Sequence, residues 1–371
     1  MARNILIAVD SFKGTLNAQS IARIIRRNWQ ATCPQDKLTT LALSDGGEAF
    51  AKILSTHLPS TSHSTQVAHV DGVSRRTPWY KTAKGQIALI DAATVLGLNK
   101  CLHMAPRKRD SFCLGELIRN IAKHEPKQIV IGLGGSGTND GGFGLARALG
   151  WKFFNARHRE IKQWMALNTL THIEPPELSP HFPPLYVAAD VTNPLLGAKG
   201  ATKIYGAQKG LTAPELLHAE QALKRLANIV ERSYQKEIKS LAHTGAAGGL
   251  GFGLKVFANA KLGSGFDFFA KHTKLKKRIQ NADLVICAEG RLDPTSFMGK
   301  GCGEIAKYAM QVRTPCIMLC GSYSKSKAAK TYFQTIAALE ELTTRSHALK
   351  NPKMWLKQLT QETARAYQAN T

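Results

Sequence analysis

The sequence predicts an α/β protein in which a parallel, flavodoxin-like sheet carries an inserted second α/β domain with a mixed sheet. Short runs rich in β-branched residues alternate with helical stretches through most of the 371 residues, as in proteins built from parallel strands. Such units lie at both ends of the chain, whereas the middle has shorter and less regular connections. We therefore predict a discontinuous first domain over residues 1–62 and 279–371, with the inserted domain over 63–278.

The first domain begins with the apolar run NILIAV and a helical stretch. In that stretch Leu16, Ile21, Ile24 and Ile25 recur near helical spacing, and Asn17 has the side chain of an N-cap. KLTTLAL is the second predicted strand, and three more follow near the end of the chain, at ADLVICAE, TPCIMLC and FQTIAALE. Two strands from the start and three from the end are expected to form one sheet.

The inserted domain has predicted strands at TPWYKT, GQIALIDAAT, QIVIGLG, WKFFN and PLYVAAD. The stretch APELLHAEQALKRLANIVERSYQKEI predicts a long amphipathic helix because its apolar residues recur on one face. TGAAGGLGFG opens a further helix.

Composition narrows the possible functions. The chain is 43% apolar and 20% charged, which is typical of folded soluble proteins. No run approaches the roughly 18 apolar residues of a membrane span, so we expect a cytoplasmic protein that does not bind membranes. The seven cysteines are scattered and contain no C-x-x-C pair, which argues against a disulfide framework or a zinc ribbon.

The net charge of +24 raises nucleic-acid binding as an alternative. However, the basic residues are spread along the chain and are not interleaved with aromatic residues that would stack on bases. The basic residues are therefore interpreted as solvated surface in preference to a nucleic-acid binding surface. The electric field of the net positive charge would attract anionic substrates.

Small and acidic residues follow the predicted strands. Ligands of open parallel sheets bind at the carboxyl ends of the strands, and glycines let backbone amides approach a phosphate closely. The segments are DSFKG (10–14), SDGGE (44–48), GGSGTNDGG (134–142), DVTNPLLGAKGA (190–201), TGAAGGLGFG (244–253) and AEGRLDPTS (288–296).

The G-x-G-x-x-G spacing over residues 132–137 leaves a dinucleotide site open. Such a site needs an acidic residue about twenty positions later, at the end of the next strand. The next predicted strand ends at Asn155, and no acid follows directly. Arg157 and Arg159 could instead accept the phosphate of NADP, so an NADP-dependent oxidoreductase remains an alternative, as does a glycine turn needed only for packing.

The glycines, carboxylates and cations of these segments fit phosphoryl transfer. Glycine amides and cations bind phosphates, carboxylates hold Mg²⁺, and one carboxylate can accept a hydroxyl proton. The candidate residues are the carboxylates Asp10, Asp45, Glu48, Asp140, Asp190, Glu289 and Asp293 and the cations Lys13, Arg291 and Lys300.

An ordered set of motifs resembles the bacterial type 1 glycerate kinase family: AVDSFKGTL, LSDGGEA, IGLGGSGTNDGGFGLARALG, AADVTNPLLGAKGATKIYGAQKG, GAAGGLGFGL and ADLVICAEGRLDPTSFMGK. The resemblance covers nearly the whole chain. It implies two α/β domains and ATP-dependent phosphorylation of D-glycerate with Mg²⁺, and we favour 2-phosphoglycerate over 3-phosphoglycerate as the product. The chain departs from the family pattern at Val9, at Ala49 and Phe50 after DGGE, at Phe112 and at Thr295.

The positions of these residues at strand ends suggest their roles. Asp190 is the favoured base, with Asp45 as its rival. Lys13, Ser11 and Arg291 are expected to neutralise the glycerate carboxylate or the transferred phosphate.

Asp10 and Asn193 are also expected at the substrate, and Asp293 and Glu289 are candidates for Mg²⁺. The nucleotide is expected on Gly134, Gly135, Ser136, Thr138, Asn139, Gly248, Gly249 and Lys300. The expected assembly is a monomer or a homodimer.

Overall fold

The computed structural model describes residues 2–369 apart from 48, 178–181, 236, 298, 300 and 325. The chain divides into two compact units. The first unit is Met1–Ser44 with Phe269–Thr371, and the second unit is Asp45–Phe268. The predicted boundary at residue 62 differs from the observed division after Ser44, because Ser60–Ala68 is one continuous strand of the second unit. The predicted boundary at 278 differs from the observed division after Phe268.

The strands are β1 (Asn4–Val9), β2 (Lys37–Ala42), β3 (Ser60–Ala68), β4 (Ser74–Thr82), β5 (Ile87–Asp91), β6 (Gln128–Gly132), β7 (Lys152–Asn155), β8 (Leu170–Glu174), β9 (Leu185–Ala189), β10 (Lys261–Ser264), β11 (Leu284–Leu292), β12 (Cys316–Tyr323) and β13 (Thr335–Ala338).

The α-helices are α1 (Ala18–Thr32), α2 (Phe50–His57), α3 (Ala93–Leu96), α4 (Leu98–Cys101), α5 (Phe112–Ala122), α6 (Phe143–Ala148), α7 (Ala201–Tyr205), α8 (Ala213–Tyr234), α9 (Ala246–Phe257), α10 (Gly265–His272), α11 (Leu275–Gln280), α12 (Gly301–Gln311), α13 (Lys327–Tyr332), α14 (Leu339–Leu342), α15 (Arg345–Lys350) and α16 (Pro352–Ala369).

The first unit contains the predicted flavodoxin-like sheet. Its strands lie in the order β13, β12, β11, β1, β2, and every neighbouring pair is parallel. The N-cap of α1 is Asn17, whose side chain accepts a hydrogen bond of 2.8 Å from Ser20 N. Ile21, Ile25 and Trp29 of α1 are fully buried in the core formed with the sheet, as their helical spacing predicts.

The second unit contains a mixed sheet in the order β10, β9, β6, β5, β4, β3. The first four strands are parallel, and β4 and β3 continue the sheet as antiparallel strands. The mixed sheet is thus as predicted. The long helix α8 is also present, and it begins with a capping box between Thr212 and Glu215.

Strand β7 differs from the dinucleotide-binding pattern. Among the described strands it pairs with β8, as an antiparallel two-stranded sheet, and it is not part of the mixed sheet that contains β6. A dinucleotide fold needs the strand after the glycine turn to lie beside the first strand, so that its end reaches the ribose. Here the parallel neighbour of β6 on that side is β9, which begins 53 residues after Gly132, and not β7, so the spacing of a dinucleotide fingerprint is not met.

Among the described residues, no helix combines the length and the apolarity needed to cross a bilayer.

Candidate functional site

The carboxyl ends of β1 and β11 bring together several predicted residues of the first unit. Asp10 directly follows β1, and its backbone N–H donates a hydrogen bond of 2.8 Å to Ala288 O in β11. Its carboxylate Oδ1 accepts a hydrogen bond of 2.6 Å from Ser11 N. Glu289 is the residue after Ala288, so Asp10, Ser11 and Glu289 lie at the same edge of the sheet, as predicted.

Glu289 is a largely buried carboxyl group with an unusual environment. Its Oε1 atom is buried and has no hydrogen-bond partner among the described residues. Burial raises the pKa of Glu289 to about 7, and the charges of Asp10 and Asp293 add to that shift, whereas the Ser296 hydrogen bond and the Lys13 charge oppose it. Glu289 therefore exchanges a proton near neutral pH.

Asp293 has the opposite environment. Its Oδ1 accepts hydrogen bonds from Thr295 N at 2.9 Å and Thr295 Oγ1 at 2.6 Å. These bonds lower the pKa of Asp293, and the guanidinium of Arg291, 3.6 Å away, acts in the same direction. Asp293 is therefore ionised at neutral pH, close to a cation whose side chain is 68% exposed.

The other predicted cations of this unit are Lys13 and Lys300. Lys13 is exposed, on the turn after β1. Lys300 lies outside the described residues. The part of the chain that the structure describes holds no group of three or more His, Cys, Asp or Glu that could bind a metal.

In the second unit, residues 45–47 form a loop over the ends of β6 and β9. Gly46 O accepts a hydrogen bond of 3.2 Å from Gly134 N, just after β6. Gly46 has φ +99°, and a Cβ built there would lie 2.8 Å from Ala188 O of β9. The close approach and the positive φ together require glycine at this position.

This loop brings the two predicted base candidates to one place. Gly47 N donates a hydrogen bond of 3.2 Å to Asp45 Oδ1. Asp190 directly follows β9, and a Cβ built at Gly47 would lie 3.0 Å from Asp45 Oδ1 and 3.6 Å from Asp190 Oδ2. Both carboxylates thus border the same small space above Gly47, at the carboxyl edge of the sheet.

The glycine loop, residues 134–142, has an exposed beginning and a buried remainder. Gly134 is half-buried and Gly135 is exposed, with φ +77°. Ser136 and Thr138 are buried, and their hydroxyl groups share a hydrogen bond of 3.0 Å. Asn139 is buried as well, and its Nδ2 donates to Thr202 Oγ1 at 3.0 Å.

Gly248 and Gly249 pack against the buried part of the glycine loop. Gly248 O accepts from Gly141 N at 3.1 Å, and a Cβ at Gly248 would lie 2.1 Å from Thr138 O. A Cβ at Gly249 would lie 2.9 Å from Gly141 Cα. These glycines let α9 approach the loop, and only Gly134 and Gly135 bring the loop's backbone toward the surface.

Asp140 and Lys209 stabilise the loop from inside. Asp140 Oδ2 accepts hydrogen bonds from Ser111 N, Ser111 Oγ and Gly144 N at 2.8, 2.7 and 2.9 Å. Lys209 is only 4% exposed and donates to Thr138 O at 2.6 Å. Burial lowers the pKa of Lys209 to about 8, while the charge of Asp140 opposes the shift.

Asn193 uses its polar side-chain atoms within the segment after β9. Its Nδ2 donates to Lys199 O at 2.7 Å, and its Oδ1 accepts from Tyr205 OH at 2.9 Å. The side chain predicted to bind substrate therefore holds residues 193–205 together.

Lys209 and Asp91 were not among the residues predicted to form the site. Asp91 ends β5, is buried, and accepts a hydrogen bond of 2.8 Å from Ala51 N. Asp91 carries the signal of a carboxylate at a strand end, since it ends the run IALID. Lys209 carried no such signal, because its partner Thr138 is 71 positions away.

Comparison with known proteins agrees with the motifs. The model of the glycerate kinase family matches residues 5–368. The chain is 33% identical over 334 residues to the glycerate kinase of Halalkalibacterium halodurans, covering 88% of this chain and 87% of the relative. It is 32% identical over 326 residues to the glycerate 2-kinase of Escherichia coli (strain K12), covering 86% and 85%.

A solved structure from Salmonella typhimurium LT2, assigned as a glycerate kinase 2, has a TM-score of 0.81 and 30% identity. It covers 100% of this chain, and 99% of its own chain is matched. The chain therefore belongs to the glycerate kinase family and is an enzyme that phosphorylates glycerate, as its motifs predicted.

Proposed function

We propose that the enzyme transfers the γ-phosphoryl group of ATP to the 2-hydroxyl of D-glycerate, with Mg²⁺ bound. The observation that carries the proposal is the pair Asp45 and Asp190, which border one space above Gly47, close to the half-buried Gly134 and the exposed Gly135. A carboxylate base next to phosphate-binding backbone is the minimum that phosphoryl transfer to a hydroxyl needs. The choice of the 2-hydroxyl follows the Escherichia coli relative, a glycerate 2-kinase.

Asp190 is assigned as the base that orients the glycerate hydroxyl and accepts its proton. It directly follows β9, a strand that pairs with parallel neighbours on both sides up to its last residues. Asp45 lies on a loop and does not directly follow a strand, so its position is less firmly fixed than that of Asp190. A positioned base contributes about 10²- to 10⁴-fold to the rate.

In the first unit, Lys13, Ser11 and Arg291 are assigned to the negative charge of glycerate or phosphate. Lys13 and Arg291 are exposed, so their charges lie at the surface, where an anionic ligand can reach them. Asp10 holds Ser11 through its backbone N–H, which fixes the direction of the turn.

Glu289 and Asp293 are assigned to Mg²⁺. The donor chemistry fits, because Mg²⁺ in kinases is bound by one or two carboxylates and completes its shell with phosphate oxygens and water. Asp293 is ionised, and Glu289 has a buried oxygen without a partner among the described residues. When bound, the ion neutralises negative charge on the phosphates.

Steady-state kinetics of Asp190→Asn and Asp45→Asn tests the assignment of the base. Asp190→Asn is expected to lower kcat for glycerate phosphorylation at least 10²-fold, since the amide cannot accept the proton. Asp45→Asn is expected to change kcat less. Near-normal turnover by Asp190→Asn with a large loss in Asp45→Asn would exchange the two roles. Near-normal turnover by both variants would mean that neither carboxylate is the base.

A further inference from the structure

A cavity of about 510 Å³ lies in the second unit next to the glycine loop. Its walls come from the start of α2, from β4, from the end of β5 and from the segment 93–102. Gly135, the exposed glycine of the loop, also lines it. The volume is within the roughly 300–1,000 Å³ of small-molecule sites.

Hydrogen bonds fix the cavity wall to the glycine loop. Leu98 N donates to Gly135 O at 3.0 Å, and Gly137 N donates to Leu96 O at 2.7 Å. The two segments therefore form one structure, in which the cavity wall and the loop backbone keep a constant spacing. A ligand that fills the cavity therefore has one end beside the backbone of Gly135.

The lining of the cavity suits a flat, partly apolar ligand. Pro78 and Tyr80 project from the same face of β4, because alternate residues of a strand share a face. Tyr80 is half-buried and offers an aromatic ring at the wall. Leu102 also lines the cavity, and at 64% exposure it is a large apolar side chain that a bound ligand would cover.

Glycerate does not match this cavity. It is a three-carbon anion that would occupy a small part of the cavity and leave the apolar residues Tyr80, Leu98 and Leu102 in contact with water. A purine base with its ribose is larger, has two apolar faces, and stacks on aromatic rings. Lys52, exposed at the start of α2, adds a cation to the lining that a phosphate chain could contact.

We propose that this cavity binds the base and ribose of a purine nucleoside triphosphate, and that its phosphates pass the backbone of Gly135 and Gly134. The inference rests on the proposed function, because it identifies where the phosphoryl donor of that reaction is held. It assigns nucleotide recognition to Tyr80, Leu98 and Leu102, none of which lies in the motifs of the sequence.

Two cavity variants and one matched control test the proposal. Ala93→Phe places a ring in the cavity, because Ala93 lines it, and is expected to raise the KM for ATP at least tenfold. Leu102→Ser removes apolar contact and is expected to raise the KM for ATP at least threefold. The control is Leu217→Ser on α8, a leucine of similar exposure at 59%, which is expected to change neither KM.

The KM for glycerate and inhibition by inorganic tripolyphosphate separate base recognition from phosphate recognition. Both values should stay within twofold of the parent in Ala93→Phe, since the ring fills the base site only. Circular dichroism and thermal unfolding of each variant establish that it is folded. An unchanged KM for ATP in folded Ala93→Phe would overturn the cavity assignment while leaving the proposed function in place.

Direct binding keeps this test independent of turnover. Titration of the parent and Ala93→Phe with a non-hydrolysable ATP analogue and Mg²⁺ is expected to show at least tenfold weaker binding to the variant. If the parent failed to phosphorylate glycerate, the proposed function would be wrong, yet the same difference in binding would still support the cavity. Equal binding to parent and variant would overturn it.

Discussion

Replacing Glu289 by glutamine should stabilise the protein at neutral pH and leave its stability nearly unchanged at low pH. The carboxyl group has its ordinary pKa of 4.5 when the chain is unfolded, and burial raises it to about 7 in the fold. Below pH 4.5 both states carry the proton, so the group contributes no difference. Between these values the folded state binds more protons than the unfolded state, and stability therefore falls as the pH rises.

The size of this effect follows from the two pKa values. Each unit of pKa difference corresponds to about 1.4 kcal/mol, so ionising Glu289 costs the fold about 3 kcal/mol once the pH exceeds 7. Glutamine has a similar shape and cannot ionise, and it removes that cost. The advantage of Glu289→Gln over the parent should therefore grow from near zero at pH 4.5 to about 3 kcal/mol at pH 8.

The assay is thermal unfolding of both proteins at pH 4.5, 6 and 8 without nucleotide or Mg²⁺. The variant's gain in Tm should increase with pH, by several degrees in total. Glu340→Gln is the control, because it removes the same charge from an exposed ion pair with Arg345 at 4.0 Å. A gain in Tm that is the same at pH 4.5 and pH 8 would refute the reasoning that burial of Glu289 destabilises its charged form.

Three further predictions concern the backbone of the second unit, each measured by urea unfolding. Gly248→Ala should lower the free energy of unfolding by more than about 3 kcal/mol, because it combines strain at φ +72° with a Cβ contact of 2.1 Å to Thr138 O. Gly197→Ala is the control: at φ +90° with open space around the Cβ, it should lower the free energy of unfolding by only about 1–2 kcal/mol. Equal losses in the two variants would contradict the packing argument. Asp140→Ala should cost about 3–5 kcal/mol because buried donors lose their acceptor, and a loss below 1 kcal/mol would show that water replaces it. Ala49→Gly should stabilise by up to about 1 kcal/mol, because Ala49 has φ +61°; destabilisation would mean that its methyl group contributes packing.

The sheet of the first unit could be predicted because its strands are short apolar runs bounded by turns. Ile5, Ile7 and Val9 of β1 and Leu284 and Ile286 of β11 are all buried, so their sequence carries a clear signal. Strand β3 carried none. Most of its side chains are partly or fully exposed, and its residues STSHSTQVA read as a polar loop. The predicted domain boundary fell inside this strand for that reason.

The candidate site residues that could be predicted are those at the carboxyl ends of strands. Asp10, Asp190 and Glu289 follow from the rule that parallel strands bring their carboxyl ends to one edge. The burial of Thr138 could not be predicted from its neighbours in sequence. Nor could the sequence predict that Thr138 O accepts a hydrogen bond from Lys209, which comes from a segment 71 positions away.

The cavity beside Gly135 could not be predicted from the sequence either. Its walls combine residues from α2, β4 and the segment 93–102, which meet only after the sheet has formed. No local pattern marks Tyr80 or Leu102 as ligand-facing. A single exposed leucine is common on protein surfaces, and its meaning here comes from the concave surface around it.

We propose that this glycerate kinase uses ATP and Mg²⁺ to phosphorylate the 2-hydroxyl of D-glycerate. The most direct test is an ADP-release assay with ATP, Mg²⁺ and D-glycerate, combined with phosphorus NMR of the product. We expect ADP and 2-phosphoglycerate in equal amounts, with no turnover when Mg²⁺ is chelated. Formation of 3-phosphoglycerate, or release of ADP that does not depend on glycerate, would contradict the claim.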